Sequence, residues 1–161
     1  MKALDPEAAR HKAYQLLSLR PHSERELEKK LLGKGFAKTI VKEALEKLHE
    51  LKYLNDASFA NGRARYLATG KLWGNRKIAA CLREKGVDDF LIDDAITAAR
   101  RELSEEEAIV LWLKKKVSKG QPDRKEKQKI FQSLMGRGFP PGLILTILRK
   151  PAEEEADGEN G

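Results

Sequence analysis

The amino-acid sequence predicts an all-α protein in which three tandem three-helix repeats form an elongated, curved, solenoid-like molecule. A basic residue, a glycine and an apolar residue recur in LGKGF, REKGV and MGRGF, so that Gly35, Gly86 and Gly138 lie 51 and 52 residues apart. Leucine precedes each glycine by four residues, and leucine or isoleucine precedes it by eight, which is the spacing of one helix face. Patterns typical of strands are almost absent.

The repeated glycine is predicted to end one helix and to lead into the next. A left-handed glycine just after a helix is a common stop signal, and the apolar residue that follows has the spacing of a hydrophobic staple. The pair Gly33 and Gly35, followed by Lys38, also invites comparison with a phosphate-binding loop. No strand precedes this pair, and no third glycine follows at the required spacing. We therefore interpret the glycines as structural.

Local signals set the boundaries of the predicted helices. Ser23 with Glu26, and Ser104 with Glu107, have the spacing of a capping box, and Asn55 is a predicted N-cap. The first repeat, residues 1–53, is expected to contain helices near 7–19, 23–34 and 38–52. The second repeat, residues 54–102, is expected to contain helices near 56–69, 75–85 and 89–102. The third repeat, residues 103–150, is expected to contain helices near 104–118, 124–137 and 141–149.

Most of the sequence is strongly basic. The formal net charge is +7 over 161 residues. Residues 151–161 hold five carboxylates and no Lys or Arg, so adding those five charges back leaves residues 1–150 with a charge of +12. Such a charge favours association with a polyanion, because contact with nucleic acid releases condensed counterions. The acidic residues 151–161 have a composition that favours a disordered tail.

The sequence disfavours several other classes of protein. One cysteine, Cys81, excludes an internal disulfide and is interpreted as a partly buried filler. The histidines are dispersed without metal-ligand spacing, and His22, beside a capping box, is expected at the surface. No nucleophile and base are arranged for catalysis, so we expect no enzyme activity and no cofactor. The absence of a signal-peptide pattern and of an apolar run of membrane length makes the cytoplasm the expected location.

The second repeat has the pattern most typical of a binding surface. Basic residues flank Tyr66 and Trp73 across a loop that contains glycine. Arginine beside exposed aromatic rings is typical of interface anchors and of nucleic-acid stacking platforms. The alternative, that Tyr66 belongs to the core and the charges are merely solvated, stays open. The candidate binding residues of this repeat are Arg63, Arg65, Lys71, Trp73, Arg76 and Lys77.

The third repeat supplies a second group of cations. Lysines grouped in this way attract a polyanion with little geometric specificity, and a solvated helix face is the favoured interpretation. Trp112 fits an apolar stripe with Ile109 and Leu113 and is expected in the core. The candidate binding residues of this repeat are Lys115, Lys116, Arg124 and Lys125.

Four segments together carry a family resemblance. HSERELEKKLLGKGF, YLNDASFANGRARY, WGNRKIAACLREKGV and the weaker KQKIFQSLMGRGF resemble the RecX family of recombination regulators, over residues 8 to 150. Two features depart from the family pattern. Leu72 stands where glycine is frequent, and GFPPGLI replaces the usual acidic start of a helix in the third repeat.

The resemblance implies three tandem three-helix repeats and a role in binding rather than catalysis. The implied partner is the RecA recombinase, above all its filament on single-stranded DNA, whose strand exchange and ATP hydrolysis the family restrains. Direct binding to single- and double-stranded DNA is expected to be weaker, and the protein is expected to act as a monomer. Two alternatives are a general nucleic-acid-binding protein without a recombinase partner and a helical-repeat adaptor with an unrelated partner.

Overall fold

The structure is a computed structural model that describes residues 4–117 and 120–149. Over these residues the regular structure is entirely helical, as predicted. One π-helical segment, Tyr66–Gly70, follows the fourth α-helix. The α-helices are α1 Pro6–Leu19, α2 Glu24–Gly33, α3 Lys38–Glu50, α4 Asp56–Arg65, α5 Asn75–Glu84, α6 Asp89–Glu102, α7 Glu105–Lys116, α8 Arg124–Gly136 and α9 Pro141–Arg149.

The helix starts follow the side chains that cap them. Both predicted capping boxes are present, with Ser23 and Ser104 each accepting a bond from the backbone N–H three residues on. Asn55 accepts the N–H of Ser58 at 3.0 Å, as expected of an N-cap. Asp5 and Asp123 do the same for α1 and α8. Each cap satisfies an N–H group that has no partner within its own helix.

The recurring glycine ends three helices in the same way. Gly35, Gly86 and Gly138 have φ of 97°, 80° and 95°, which is the left-handed region. The residue after each glycine donates its N–H to the leucine five residues before it: Phe36 to Leu31, Val87 to Leu82, and Phe139 to Leu134. These are the bonds of a Schellman motif, so the structural interpretation of the glycines is confirmed.

The chain divides into two compact units. Unit 1 comprises Met1–Arg63 and Cys81–Ala95, and unit 2 comprises Ala64–Ala80 and Ile96–Gly161. In unit 1 a core of fully buried side chains, among them Leu27, Leu31 and Leu48, joins α1, α2 and α3. In unit 2 a second core joins α7, α8 and α9, and includes Trp112, as expected, and Phe139.

Two features of the fold differ from expectation. The helix expected near 56–69 is α-helical only to Arg65, and then widens into the π-helical segment. His22, expected at the surface, is only 4% exposed. Its Nδ1 lies 2.9 Å from the carbonyl oxygen of Arg20, and Lys30 Nζ lies 2.7 Å from its Nε2, so the ring is neutral and carries its proton on Nδ1. Burial lowers the pKa of His22.

Three expectations lie beyond what the fold tests. The predicted acidic tail, residues 151–161, lies outside the described residues. The elongated, curved shape stays a prediction, as do the repeat boundaries after residues 53 and 102. Within residues 4–117 and 120–149, no helix is long and apolar enough to cross a membrane.

Candidate partner-binding site

Five candidate residues of the second repeat lie in one continuous stretch of unit 2. The sixth, Arg63, is exposed and lies just upstream in α4, within unit 1. The stretch runs from the end of α4 through the π-helical segment and the loop 71–74 into the first turn of α5. The five are Arg65 at the end of α4, Lys71 and Trp73 in the loop, and Arg76 and Lys77 in α5.

Tyr66, the first residue of the π-helical segment, is exposed. Lys71 donates its N–H to the carbonyl of Tyr66 at 3.1 Å, which is the five-residue bond of a π-helix, and Trp73 donates to Leu67 at 2.9 Å. Tyr66 is 50% exposed, whereas the neighbouring Leu67 is buried. The alternative that placed Tyr66 in the core is therefore wrong. Short π-helical segments are found frequently at functional sites, because the widened turn changes which side chains face outward.

The loop that follows contains a residue in an uncommon conformation. Leu72 has a φ of 56°, in the left-handed region that favours glycine, yet its side chain is only 4% exposed and belongs to the core of unit 2. Burying the side chain gains about 2 kcal/mol and the conformation costs about 1 kcal/mol, so leucine is tolerated where glycine would fit with less strain. The leucine anchors the loop to the core and fixes the residues on either side of it.

Two arginines hold the backbone of this loop. Arg100 of α6 donates to the carbonyl of Trp73 at 2.7 Å and to Oδ1 of Asn75 at 2.6 Å. Arg137 donates through Nε to the carbonyl of Leu72 at 3.2 Å and through Nη2 to that of Lys71. Burial lowers the pKa of both arginines, but a guanidinium is charged throughout the physiological range. The loop is thus fixed by charge-assisted hydrogen bonds to consecutive carbonyls.

The start of α5 packs directly against the end of α8. Gly74 donates its N–H to the carbonyl of Arg137 at 2.8 Å, and Arg76 donates to that of Gly138 at 3.2 Å. A Cβ on Gly74 would lie 2.4 Å from the carbonyl carbon of Gly138, so only glycine allows this approach. Glu105 accepts the N–H of Asn75 at 3.0 Å and caps α5 in place of a side chain from the preceding residue.

With the backbone held in this way, the side chains of the first turn of α5 face other partners or solvent. Lys77 Nζ lies 4.1 Å from the centroid of the Trp73 ring, a cation–π contact on a half-buried aromatic side chain. Arg76 and Lys71 are exposed, and Arg65 forms an exposed ion pair with Glu102 at 2.8 Å. The stretch presents cations next to aromatic rings, which suits binding.

The cations of the third repeat are exposed, as a solvated helix face would be. They occupy the end of α7 and the start of α8, and the intervening Ser118 and Lys119 lie outside the described residues. Trp112 of α7 lies in the core of unit 2, and its indole nitrogen has no hydrogen-bond partner. The Arg137 guanidinium lies 5.9 Å from the centroid of its ring. The exposed cations are Lys115 and Lys116 in α7 and Arg124 and Lys125 in α8.

Sequence reasoning missed the residues that hold the site. From the sequence alone, Arg137 is only the basic residue before Gly138 in MGRGF, and nothing singles out Arg100 or Glu105. Their sequence neighbours give no signal, because their partners lie 25 to 66 positions away along the chain. The one local signal is Gly74, which has no side chain to cap α5, so the first N–H groups of that helix need acceptors from elsewhere.

Metal-binding clusters are absent from the part of the chain that the structure describes. Among residues 4–117 and 120–149, no group of three or more His, Cys, Asp or Glu side chains could hold a metal ion. Cys81 is half-buried, in keeping with its interpretation as a filler. The arrangement described above offers cations, aromatic rings and a rigid backbone, which are the requirements of a recognition surface.

Comparison with known families accounts for the three-helix repeats. The first, second and third three-helix domains of RecX match residues 9–48, 55–96 and 104–148 in that order. The chain belongs to the RecX family. It is 35% identical over 145 residues to the regulatory protein RecX of Chlorobaculum tepidum, which covers 89% of this chain and 88% of that protein. The RecX of Streptomyces coelicolor is 30% identical over 155 residues, covering 95% and 82%.

Solved RecX structures have the same fold. The crystal structure of RecX from Lactobacillus salivarius aligns with a TM-score of 0.76 at 27% identity, over 90% of this chain and 95% of that one. A second crystal structure of a regulatory protein RecX aligns with a TM-score of 0.74, again at 27% identity, over 90% and 72%. The RecX fold and the all-α prediction are thereby confirmed.

Proposed function

We propose that this protein binds the RecA recombinase and its filament on single-stranded DNA, and inhibits strand exchange and the coupled hydrolysis of ATP. The observation that carries the proposal is the match of all three RecX domains, in order, across residues 9–148. Relatives that match over most of their length are named regulatory proteins, which supports a role in binding rather than in catalysis. We place this role in the cytoplasm and assign it to a monomer.

The stretch from Arg65 to Lys77 is the proposed contact with the filament. A RecA filament presents protein and nucleic acid side by side, so a binding surface for it gains from both cations and aromatic rings. Arg76 and Lys71 are exposed beside the Trp73–Lys77 pair, and the loop between them is held by Arg100 and Arg137. A surface that is already ordered loses little entropy on binding, which favours tight and specific association.

The cations of the third repeat are assigned a different role. Lys115, Lys116, Arg124 and Lys125 are exposed at helix ends. Long-range attraction between such charges and a polyanion raises the rate of association and weakens with salt. We therefore expect these four residues to speed the encounter with the DNA-containing filament, and the Arg65–Lys77 stretch to determine the lifetime of the complex.

The test is the ATPase rate of the cognate RecA on single-stranded DNA, titrated with this protein at physiological salt. The DNA is kept in excess, so that a protein that merely competes for DNA has little effect. Inhibition at well below one molecule per RecA protomer supports the proposal. Tight binding to DNA without inhibition would instead leave the general nucleic-acid-binding function, which the charge of +12 on residues 1–150 favours.

A charge reversal locates the contact. Arg76→Glu with Lys77→Glu is expected to weaken inhibition by at least about tenfold, since residues at the centre of an interface dominate its affinity. Lys29→Glu with Lys34→Glu makes the same change of charge at exposed positions around α2 and serves as the control. Equal loss in both variants would mean that total charge, rather than this stretch, determines binding.

A further inference from the structure

Unit 1 has an exposed pair of aromatic rings that the proposed RecA contact does not use. Tyr14 on α1 and Tyr53 after α3 lie with ring centroids 5.3 Å apart and planes at 78°. They are 36% and 58% exposed, whereas burial is the usual way for a tyrosine pair to contribute to stability. The ring faces that the edge-to-face contact leaves uncovered are accessible to a flat ligand.

Cations surround this pair. A cleft of about 430 Å³ beside Tyr14 is lined by Glu7, Arg10, His11 and Lys47. Lys47 has an ion pair with Glu50 at 3.6 Å, in which both side chains are substantially exposed, so the lysine is held only loosely. The cleft is thus lined by two cations, Arg10 and Lys47, an imidazole and one carboxylate, which favours an anionic occupant.

A third cation stands where the backbone favours glycine. Lys52 has a φ of 63°, and it ends α3 with the same bonds that Gly35, Gly86 and Gly138 make at their helix ends: its N–H donates to His49 and that of Tyr53 donates to Leu48. The left-handed conformation costs a non-glycine residue about 1 kcal/mol. At Leu72 burial compensates for this cost, but Lys52 is exposed. Lys52 thus adds an exposed cation next to Tyr53 in the sequence.

We propose that Tyr14 and Tyr53 form a platform on which bases of single-stranded nucleic acid stack, while Arg10, Lys47 and Lys52 contact the phosphates. Exposed aromatic rings flanked by cations are the common composition of surfaces that bind single strands without sequence preference. The site belongs to unit 1 alone, and its ligand requires no recombinase. Its action is therefore separate from the contact proposed for the Arg65–Lys77 stretch.

The charge around the rings favours nucleic acid over a protein partner. Unit 1 has another exposed aromatic residue, Phe90 of α6, which is 65% exposed. Phe90 lies among Asp88, Asp89, Asp93 and Asp94, which would repel a phosphate backbone. Around the two tyrosines the cations Arg10, Lys47 and Lys52 outnumber the carboxylates of Glu7 and Glu50. The net charge is therefore positive there and negative around Phe90, and only the positive surface suits nucleic acid.

The experiment compares a 15-residue oligothymidine with an abasic phosphodiester of the same length, both fluorescently labelled, by anisotropy at fixed salt. Tyr14→Ala with Tyr53→Ala is expected to lower affinity for oligothymidine at least about tenfold and for the abasic strand less than about twofold, because the lost contact is with bases. Tyr14→Phe with Tyr53→Phe is expected to keep wild-type affinity. Phe90→Ala is the matched control and is expected to change neither.

Three outcomes would overturn the proposal. The first is equal loss on both strands, and the second is unchanged affinity for oligothymidine in the alanine variant. The third is unchanged DNA affinity together with weaker inhibition of RecA, which would assign the tyrosines to a protein contact. Lys52→Gly supplies an independent check: it is expected to raise the urea midpoint of unfolding and to lower oligothymidine affinity about threefold. If the wild-type protein does not inhibit RecA, the proposed function is wrong, but the measured DNA affinities still test the tyrosine platform.

Discussion

The start of α2 in unit 1 and the start of α5 in unit 2 are each hydrogen-bonded to the end of another helix, but through different groups. In both units, the backbone carbonyl that accepts the bond belongs to the residue just before a left-handed glycine. In unit 1 the donor to Lys85 is the hydroxyl of Ser23, at 2.5 Å. In unit 2 the donor to Arg137 is the backbone N–H of Gly74, at 2.8 Å.

The side chains in the first turns of the two helices also differ in charge. Glu26 in the first turn of α2 is part of the junction of unit 1, where it accepts hydrogen bonds from Arg20 at 2.7 Å and Lys85 at 3.1 Å. The equivalent position in α5 is Lys77, whose ammonium contacts Trp73 instead. A cation in the first turn of a helix opposes the helix dipole. The junction of unit 2 does not use the side chain of Lys77, which contacts Trp73, whereas the junction of unit 1 uses that of Glu26.

The largest effect on stability is expected at Gly74, where the backbones of the junction of unit 2 are in close contact. Gly74→Ala places a Cβ within 2.5 Å of the backbone of Gly138 and Phe139, which cannot move without disturbing α8. We expect a loss of about 3 kcal/mol in the free energy of unfolding, measured by urea denaturation. Gly136→Ala, at a position with open space around it, is the control and is expected to stabilise by about 0.5 kcal/mol. Equal stability of the two variants would contradict the close docking of α5.

At the junction of unit 1 the sensitive group is a hydroxyl. Ser23→Ala removes both the N-cap of α2 and the bond to Lys85, and is expected to cost about 2 kcal/mol. Ser104→Ala removes the same capping box at α7, where the hydroxyl accepts the N–H of Glu107 in its own helix, and is expected to cost about 1 kcal/mol. If thermal or urea unfolding shows no difference between the two, the Ser23–Lys85 bond contributes nothing to stability.

Acid should weaken the junction of unit 1 through Glu26. Burial alone would raise the pKa of this carboxyl, but bonds from Arg20, from the Ser23 N–H and from Lys85 outweigh it and lower the pKa to about 2. The stabilisation is therefore complete above about pH 4.5, the ordinary value, and is lost as the pH falls towards 2. Glu26→Gln should cost about 1.5 kcal/mol at pH 7 and flatten this loss. Glu28→Gln, an exposed neighbour, is the control; the same flattening there would refute the assignment.

The smallest effect on stability is expected in the first turn of α5. Arg76→Glu changes an exposed side chain while its backbone bond to Gly138 persists, so the free energy of unfolding should change by less than about 0.5 kcal/mol. Inhibition of RecA should nevertheless weaken, because the side chain is assigned to the partner. A large loss of stability in this variant would show that Arg76 belongs to the junction, and the contrast between the two units would disappear.

Local signals predicted much of the fold, whereas contacts between distant residues could not be predicted. Capping boxes and the left-handed glycines lie within a few residues of the helix ends that they define, so the helix boundaries could be inferred from the sequence. The π-helical segment Tyr66–Gly70 could not be predicted, because hydrophobic periodicity does not distinguish a π-helix from an α-helix over five residues. The buried His22 depends on Lys30 and on the Arg20 carbonyl, a combination that a position beside a capping box does not indicate.

The close approach at Gly74 has a consequence for how the sequence can drift. Most packed contacts evolve by compensation, in which one side chain shrinks as its neighbour grows. Gly86 faces the side-chain carbons of Arg25, which a smaller residue would partly remove. The atoms nearest to Gly74 are main-chain atoms of residues 138 and 139, which no substitution of a side chain removes. In a library of random second-site variants selected for folding, we therefore expect none that restores the stability lost in Gly74→Ala.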